Sequence, residues 1–420
     1  MNQRTDIIID GYSTGGQLAE AMKAKGFHMI NIMSGQDIVE EISATLKPEN
    51  FAETWGYDGD LDALVDRLAP LEPAFVAAGF EPGVPLTEIL CSWLGLPGND
   101  TERFAGYRSN KALMGEGLRA AGVPCAGQLI VRQIEDCTEE ALAHVGFPAV
   151  VKPTESAGSD SVFIAADFAS AGNHIAGIMG QKNRLGRNNA EILVMEFLEG
   201  QQYIVNSVSH QGEHFITEIW KDIRTRTETG QVLYDHEHLV DLADPSSVEL
   251  ATYMKSCLDA LGVRHGPIHA EVILTSSGPK LVEVGARCQG GILGETVREA
   301  IGESHVSLTA KLLSDPDAFL SVAPTISYKP RIMVVSLNAF NSGIVEKATY
   351  LEYLKKLPSF RAVMSMPSVG DYVPKTRDLF TSLGAIYMVH DDFDVLSADL
   401  AAIRRLEKAN SFLQLNEAET

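Results

Sequence analysis

The segment from His269 to Gly291, HAEVILTSSGPKLVEVGARCQGG, constrains this chain more than any other. Two apolar runs, each interrupted by one carboxylate, flank Ser276-Ser277-Gly278-Pro279. Alternating apolar residues around a turn rich in Ser, Gly and Pro read as a hairpin. A three-residue turn at Ser276, Ser277 and Gly278, with the glycine at positive φ, pairs Thr275 with Pro279 and sets Glu271 opposite Glu283. Like charges facing each other across a ladder repel. A hard cation between them removes the conflict, and such a cation also takes phosphate oxygens. Glu283 and Arg287 are four residues apart, so an extended chain presents both on one face and toward one anion.

At 420 residues the chain exceeds one ordinary core; roughly 100 to 200 residues per domain implies about two to four units. No apolar run approaches the roughly 18 residues of a membrane span. Ile7-Ile8-Ile9 is too short a run for a secretory signal, so a cytoplasmic protein is expected. The formal charge of −22 excludes nucleic acid and anionic membrane as main partners, since both need a basic footprint. Cys91, Cys125, Cys137, Cys257 and Cys288 are odd in number and lack CxxC spacing, which argues for reduced thiols in packing roles.

The first segment reads as strand Asp6–Asp10, Gly-rich turn Gly11–Gly16, helix 17–25 and strand 27–32: a βαβ opening whose glycines do not match the dinucleotide fingerprint. A further strand at Ala74–Ala78 leads into Gly79-Phe-Glu81-Pro-Gly83, and ligands of open α/β sheets bind beyond such strand ends. Glu81 is placed there to receive an α-ammonium group. The turn-forming cluster Leu96–Asp100 marks a boundary. Beyond it Ser109 caps a helix with Lys111 in its first turn and Gly122 at its end. Strands follow at 147–153, 162–165, 192–195, 203–208 and 214–221, whereas the polar, threonine-rich stretch 222–238 reads as a mobile binding loop. The expected organisation is a Rossmann-like domain over 1–100, a central region over 101–325 with a lid at about 125–200, and a small α+β domain over 326–420 whose last helix begins near Ser397. The fold class is α/β and α+β, multi-domain.

Lys152 ends a buried strand and precedes the small-residue loop 154–161, whose N–H groups around Gly158 and Ser159 can cover phosphate oxygens without Walker spacing. A strand-end lysine by itself more often reaches solvent. Its weight comes from the set: Lys111, Lys152, Gly158-Ser159, the turn Glu196–Gly200, Glu271, Glu283 and Arg287.

With these parts together, the chain resembles the ATP-grasp ligases. The phrases LGLPGN (94–99), RSNK (108–111), FPAVVKP (147–153), MEFLEG (195–200), HAE (269–271) and VEVGAR (282–287) most resemble bacterial L-amino-acid ligases, which make dipeptides. The resemblance implies an ATP-grasp fold behind an N-terminal Rossmann-like domain. It implies that Lys111 and Lys152 bind ATP phosphates, that the 155–161 loop closes over them, and that the backbone of Glu196–Leu198 receives adenine between Phe197 and Leu198. Gln202 stands where many members contact ribose through a glutamate, and Gly285 where an asparagine often joins the metal site. Mg²⁺, as two ions or with Mn²⁺ in its place, then relies on Glu271 and Glu283.

The implied reaction is carboxylate attack on the γ-phosphate of ATP, giving an acyl phosphate that an amine captures, with Arg287 stabilising the oxyanion. His236, beside His238, would orient the amino acid or take the amine proton. Gly290 and Gly291 leave room for substrate, and Lys221 is a further phosphate candidate. The implied partners are a small carboxylate and an amino acid, with a homodimer expected. Biotin carboxylation and a catalytically inactive nucleotide-binding regulator are the alternatives.

Overall fold

Ile7, Ile8 and Ile9 are wholly buried in strand β1 (Thr5–Ile9), as in a parallel strand covered on both faces. In the computed structural model, which describes residues 5–35, 38–226, 232–329, 331–377, 379–409 and 412–416, β1 pairs in parallel with β2 (His28–Met33) and, beyond the helix Thr14–Ala24 and β3 (Glu53–Gly56), with β4 (Val76–Ala78). The order is β3-β2-β1-β4. Alternation sends Ile8 to a cluster with Leu18, Met22 and Phe75, and Ile7 and Ile9 to another with Ile30, Leu64 and Leu68.

The described chain forms two compact units, one of Met1–Glu218, Pro245–Gly294 and Ser304–Ile326, the other of Ile219–Asp244, Glu295–Glu303 and Ser327–Thr420. The first unit holds two further sheets. One is antiparallel, β5 (Gln128–Val131), β6 (Ala149–Pro153), β7 (Phe163–Ala165) and β8 (Ile192–Glu196) in the order β5-β8-β6-β7, closed by the helix Phe168–Ile178 over Val131, Val151, Ile175 and Val194. The other comprises β9 (Gly200–His210), the first part of β10 (Glu213–Arg226), and, past β11 (Val232–Leu239) in the chain, β12 (Gly266–Thr275) and β13 (Gly278–Gly285), ordered β13-β12-β9-β10.

In the second unit the end of β10 is followed by β11, β14 (Ile332–Leu337), then past β15 (Gly343–Ala348) and β16 (Phe360–Met364) in the chain, and past β17 (Tyr372–Val373), by β18 (Gly384–Val389), with β16 outermost. β17, β15 and β19 (Leu413–Asn416) form a small sheet of their own. Met333, Val335, Ile386 and Met388 pack with Leu396 and Ile403 of the helix Phe393–Lys408.

Three local expectations need correction. The helix Lys111–Ala120 is capped by Asn110, whose Oδ1 accepts from Ala112 and Leu113 N–H, and not by Ser109; the cap stands one residue closer to Lys111, which is the first helical residue. The last helix starts at Phe393, because Asp392 supplies the cap that Ser397 was expected to precede. Most of the supposed loop 222–238 is strand, with Trp220 paired to Leu239 and Arg226 to Val232. Its polar residues find partners within the ribbon: Arg224 Nε donates to Asp222 at 2.8 Å and its guanidinium lies 4.4 Å from the Tyr234 ring centroid. Residues 227–231 of that stretch lie outside the described residues.

Candidate active site

Glu271 faces Glu283 and His269 faces Gly285 across β12 and β13. The route differs from the expected one. The turn is two residues long, with Thr275 paired to Gly278 at φ +105°, and a one-residue shift just past Glu271 restores the register that a three-residue turn would have set. β9 lies on the other side of β12, with Asn206 beside His269, Ile204 beside Glu271 and Gln202 beside Ile273. Period-two alternation therefore gathers Gln202, Asn206, His269, Glu271 and Glu283 on one face of the first unit's sheet.

Positive charge answers those acids. Lys111 Nζ stands 3.0 Å from Glu283 Oε2 and donates to Ser156 O at 2.6 Å. Burial pushes the Glu283 carboxyl up, yet Lys111 and Lys152 together hold it down to about 2. Gln202 Nε2 donates to Glu271 Oε2 at 2.6 Å, so the nitrogen of that amide steadies the second acid. Glu81 Oε2 accepts from Arg287 Nε at 2.8 Å, while Arg287 Nη1 donates to Cys288 O at 2.9 Å. Burial holds the Glu81 carboxyl above its usual range against the pull of Arg287 and Lys111. A Cβ at Gly285 would stand 2.5 Å from Glu81 Oε2. The missing side chain is what lets Glu81 reach in beside Glu283.

Lys152 is buried at the end of β6, and the loop after it carries Gly158, Ser159 and Ser161 at φ +69°, +63° and +56°. Left-handed residues in near succession make a tight loop of small side chains, in which the Asp160 and Val162 N–H groups donate to Ala157 O and Ser159 O at 3.4 and 3.3 Å. Glu196 accepts from Gly127 N–H at 3.0 Å and from Lys280 Nζ at 2.9 and 3.1 Å, and its own N–H donates to Gly127 O at 2.8 Å. Leu198 packs with Ala112, Met195, Ile273 and Val282, while Phe197 is only half-buried. Gly290 and Gly291 follow Arg287, the latter at φ +65°.

His236 and Lys221 belong to the second unit. There the His236 ring stacks on His238 at 5.6 Å and its Nδ1 lies 3.7 Å from Asp235 Oδ1; burial first, then His236 and Lys221, push His238 down to about 4.

Asn206 was not singled out from sequence. Its Nδ2 donates to Gln289 Oε1 at 2.7 Å and to Glu218 Oε2 at 3.1 Å, and its Oδ1 lies 3.1 Å from His269 Nδ1. The available signal was an amide inside the apolar run Tyr203–Val208, the same anomaly that marked Glu271.

For Mg²⁺ the donor set fits. Two carboxylates on one face, one beside an ammonium and one beside an amide, match an ion that takes one or two protein carboxylates plus phosphate oxygens and water. Among the described residues no group of three His, Cys, Asp or Glu forms a metal cage.

An ATP-grasp domain model matches residues 145–296. The chain is 30% identical to dapdiamide A synthase of Enterobacter agglomerans, over 97% of this chain and 96% of that protein. It is 26% identical to an L-arginine-specific L-amino acid ligase of Bacillus subtilis, over 75% of each. In fold it is similar to an L-amino acid ligase from Bacillus licheniformis, at a TM-score of 0.76 and 18% identity with both chains fully covered. Among the described residues no helix is long and apolar enough to cross a membrane. ATP-grasp enzymes use ATP with Mg²⁺, and two of these similar proteins are by name L-amino acid ligases. The chain belongs to the ATP-grasp carboxylate–amine ligases, enzymes that use ATP to form amide bonds.

Proposed function

We propose that this ligase joins a small carboxylate or amino acid to a second amino acid through an acyl phosphate, releasing ADP and phosphate. The observation that carries the reading is one sheet face on which Lys111 meets Glu283, Gln202 meets Glu271, and Arg287 with Glu81 stands beside Gly285. Lys111 and Lys152 take the ATP phosphates under the Gly158–Ser159 loop. The turn Glu196–Leu198 takes adenine; since the Glu196 N–H is engaged by Gly127, any donor from this turn comes from the residues after it. Gln202, its nitrogen on Glu271, has its carbonyl oxygen left for a ribose hydroxyl.

Glu271 and Glu283 would hold Mg²⁺, two ions with Mn²⁺ as a substitute, and that charge offsets the negative oxygens of the transferring phosphoryl group. The substrate carboxylate displaces ADP from the γ-phosphate; the amine then forms the C–N bond as phosphate leaves, and one proton is released. Arg287 acts on the oxyanion of that second step, held in place by Glu81. Glu81 also supplies the anion for an α-ammonium group, His236 orients the amino acid, and Gly290 and Gly291 make room for it.

The apolar clusters at residues 131–194 and 333–413 support a lid at about 125–200 and a domain over 326–420; the proposed domains over 1–100 and 101–325 share a cluster that joins Ile8 and Phe75 to Cys288 and Leu313. The five unpaired cysteines support a reducing, cytoplasmic setting. A homodimer is the proposed assembly.

The test is a matrix of carboxylates and amines screened for phosphate release with ATP and Mg²⁺, products identified by mass. An amide product from an amino-acid acceptor supports the reading. Phosphate release with bicarbonate and biotin alone, or with no pair, overturns it.

A further inference from the structure

The glycine-rich turn Gly11–Gly16 occupies the place where open parallel sheets often present backbone amides to phosphate. Here five of those six amides are engaged within the protein. Gly11 N–H donates to Asn31 Oδ1 at 2.9 Å, Tyr12 N–H to Asp10 O at 2.7 Å and Ser13 N–H to Thr45 Oγ1 at 2.8 Å. Gly15 and Gly16 donate to Tyr12 O and Ser13 O at 2.8 and 3.2 Å. A Cβ at Gly15 would stand 2.5 Å from Gly79 Cα, so this glycine serves close packing of two chain segments.

What the turn and the helix after it offer instead is side chains, and they converge on one distant segment. Thr14 Oγ1 donates to Gln289 O at 2.5 Å. Gln17 Nε2 donates to Ile292 O at 2.6 Å and its Oε1 accepts from Gly294 N–H at 2.8 Å. Ser13 Oγ accepts from Gly291 N–H at 3.3 Å. These contacts cover Gln289–Gly294, the stretch that follows Arg287 and Cys288 and contains two adjacent glycines. Such a stretch has wide conformational freedom when untethered. A substrate bound against it would have to order it at the moment of binding, which weakens affinity.

We propose that Gln17, assisted by Thr14, is a positioning residue for amide formation: it holds Gln289–Gly294 in the one conformation that receives the amino-acid substrate. The inference rests on the reading of Arg287, Gly290 and Gly291 as substrate residues. Gln17 does not touch the reacting atoms. It acts through the backbone of the segment that lines them.

Gln17→Met keeps side-chain length and removes both bonds. Hydrogen exchange at amides 289–294 should accelerate about tenfold in this variant while other segments exchange as before. With the carboxylate–amine pair returned by the phosphate-release screen, KM for the amino acid should rise about tenfold and KM for ATP should stay within about twofold. Gln17→Glu keeps the acceptor for Gly294 and loses the donor to Ile292, so an intermediate effect on both readouts is expected; it carries the test if the methionine variant does not fold. Unchanged exchange at 289–294 overturns the proposal, as does an equal rise in both KM values accompanied by a lower Tm, the mark of a purely structural residue. The two readings fail separately: normal ligation by Arg287→Ala strikes the assignment of the site, whereas unaltered exchange in Gln17→Met strikes the clamp alone.

Discussion

Each unit of the molecule contains a cluster of buried charge, and the two differ in how fully their hydrogen-bonding capacity is used. In the second unit Arg404 Nε donates to Asp235 Oδ1, Nη2 to Asp235 O and Oδ1, and Nη1 to Ser336 O and Glu407 Oε2. Glu407 Oε1 accepts in turn from Asn338 N–H at 2.6 Å. Every nitrogen of that guanidinium is occupied. In the first unit Arg287 donates through Nε and Nη1, and Nη2 has no hydrogen-bond partner among the described residues. Lys111 uses two of its three protons on Ser156 O and Glu283. A saturated ionic cluster fixes architecture; donors left over among several acids are what the proposed substrate site requires.

Variants sharpen this contrast. The largest effect is expected for Glu283→Gln, which should lower ATP-dependent phosphate release about a thousandfold, read in the assay of the best substrate pair. Turnover near that of the wild type would show that the acid is structural, like Glu407. Next comes Arg287→Ala, with ligation reduced about a hundredfold and ATP binding retained; calorimetric titration with ATP beside product mass spectrometry separates the two. A parallel loss of ATP affinity would place Arg287 with the phosphates instead. Arg404→Ala reverses the pattern, costing about 3 kcal/mol of stability by leaving Asp235 and Glu407 without their cation, read by denaturant unfolding. A stable variant with impaired kinetics would break the distinction between the clusters.

The smallest effect is in pH. Burial pushes the Asp235 carboxyl up, but His236 and Arg404 outweigh it and hold the group below its ordinary 3.8. A depressed acid stabilises the fold above its unfolded pKa, and that contribution is lost as pH falls through the folded value. Wild-type stability should therefore drop below about pH 3.8 more steeply than that of Asp235→Asn, as unfolding curves at stepped pH would measure. Parallel curves would mean that Arg404 does not hold Asp235 ionised.

Several parts of the site could be read locally. Glu271 and Glu283 stood out as charges in alternating apolar runs, Lys152 as a cation at a strand end, and Gly158-Ser159 as a small-residue loop. Each of these needs only a neighbour or two in the chain to be noticed. The pairing of Glu271 with Glu283 came out as expected although the turn is shorter, because the extra residue moved from the turn into the ladder. Asp222–Arg226 has the polar composition of a loop, and only the paired strand supplies partners such as Tyr234. Asn206 carries a fainter form of the same signal, one amide in an apolar strand.

By itself the sequence determined which residues share a strand face, where the helix bearing Lys111 begins to within one residue, and which chemistry the acids and lysines can serve. These follow from the two-residue period of a strand, from capping and from side-chain charge. Only the tertiary structure decided that Glu81 reaches Arg287 across 206 residues, that Gly285 leaves room for it, that Gln202 lies against Glu271, and that Gln17 holds a segment 277 residues away. Such contacts depend on which strands become neighbours. That choice is made by burial summed over the whole unit, so no short stretch of chain encodes it.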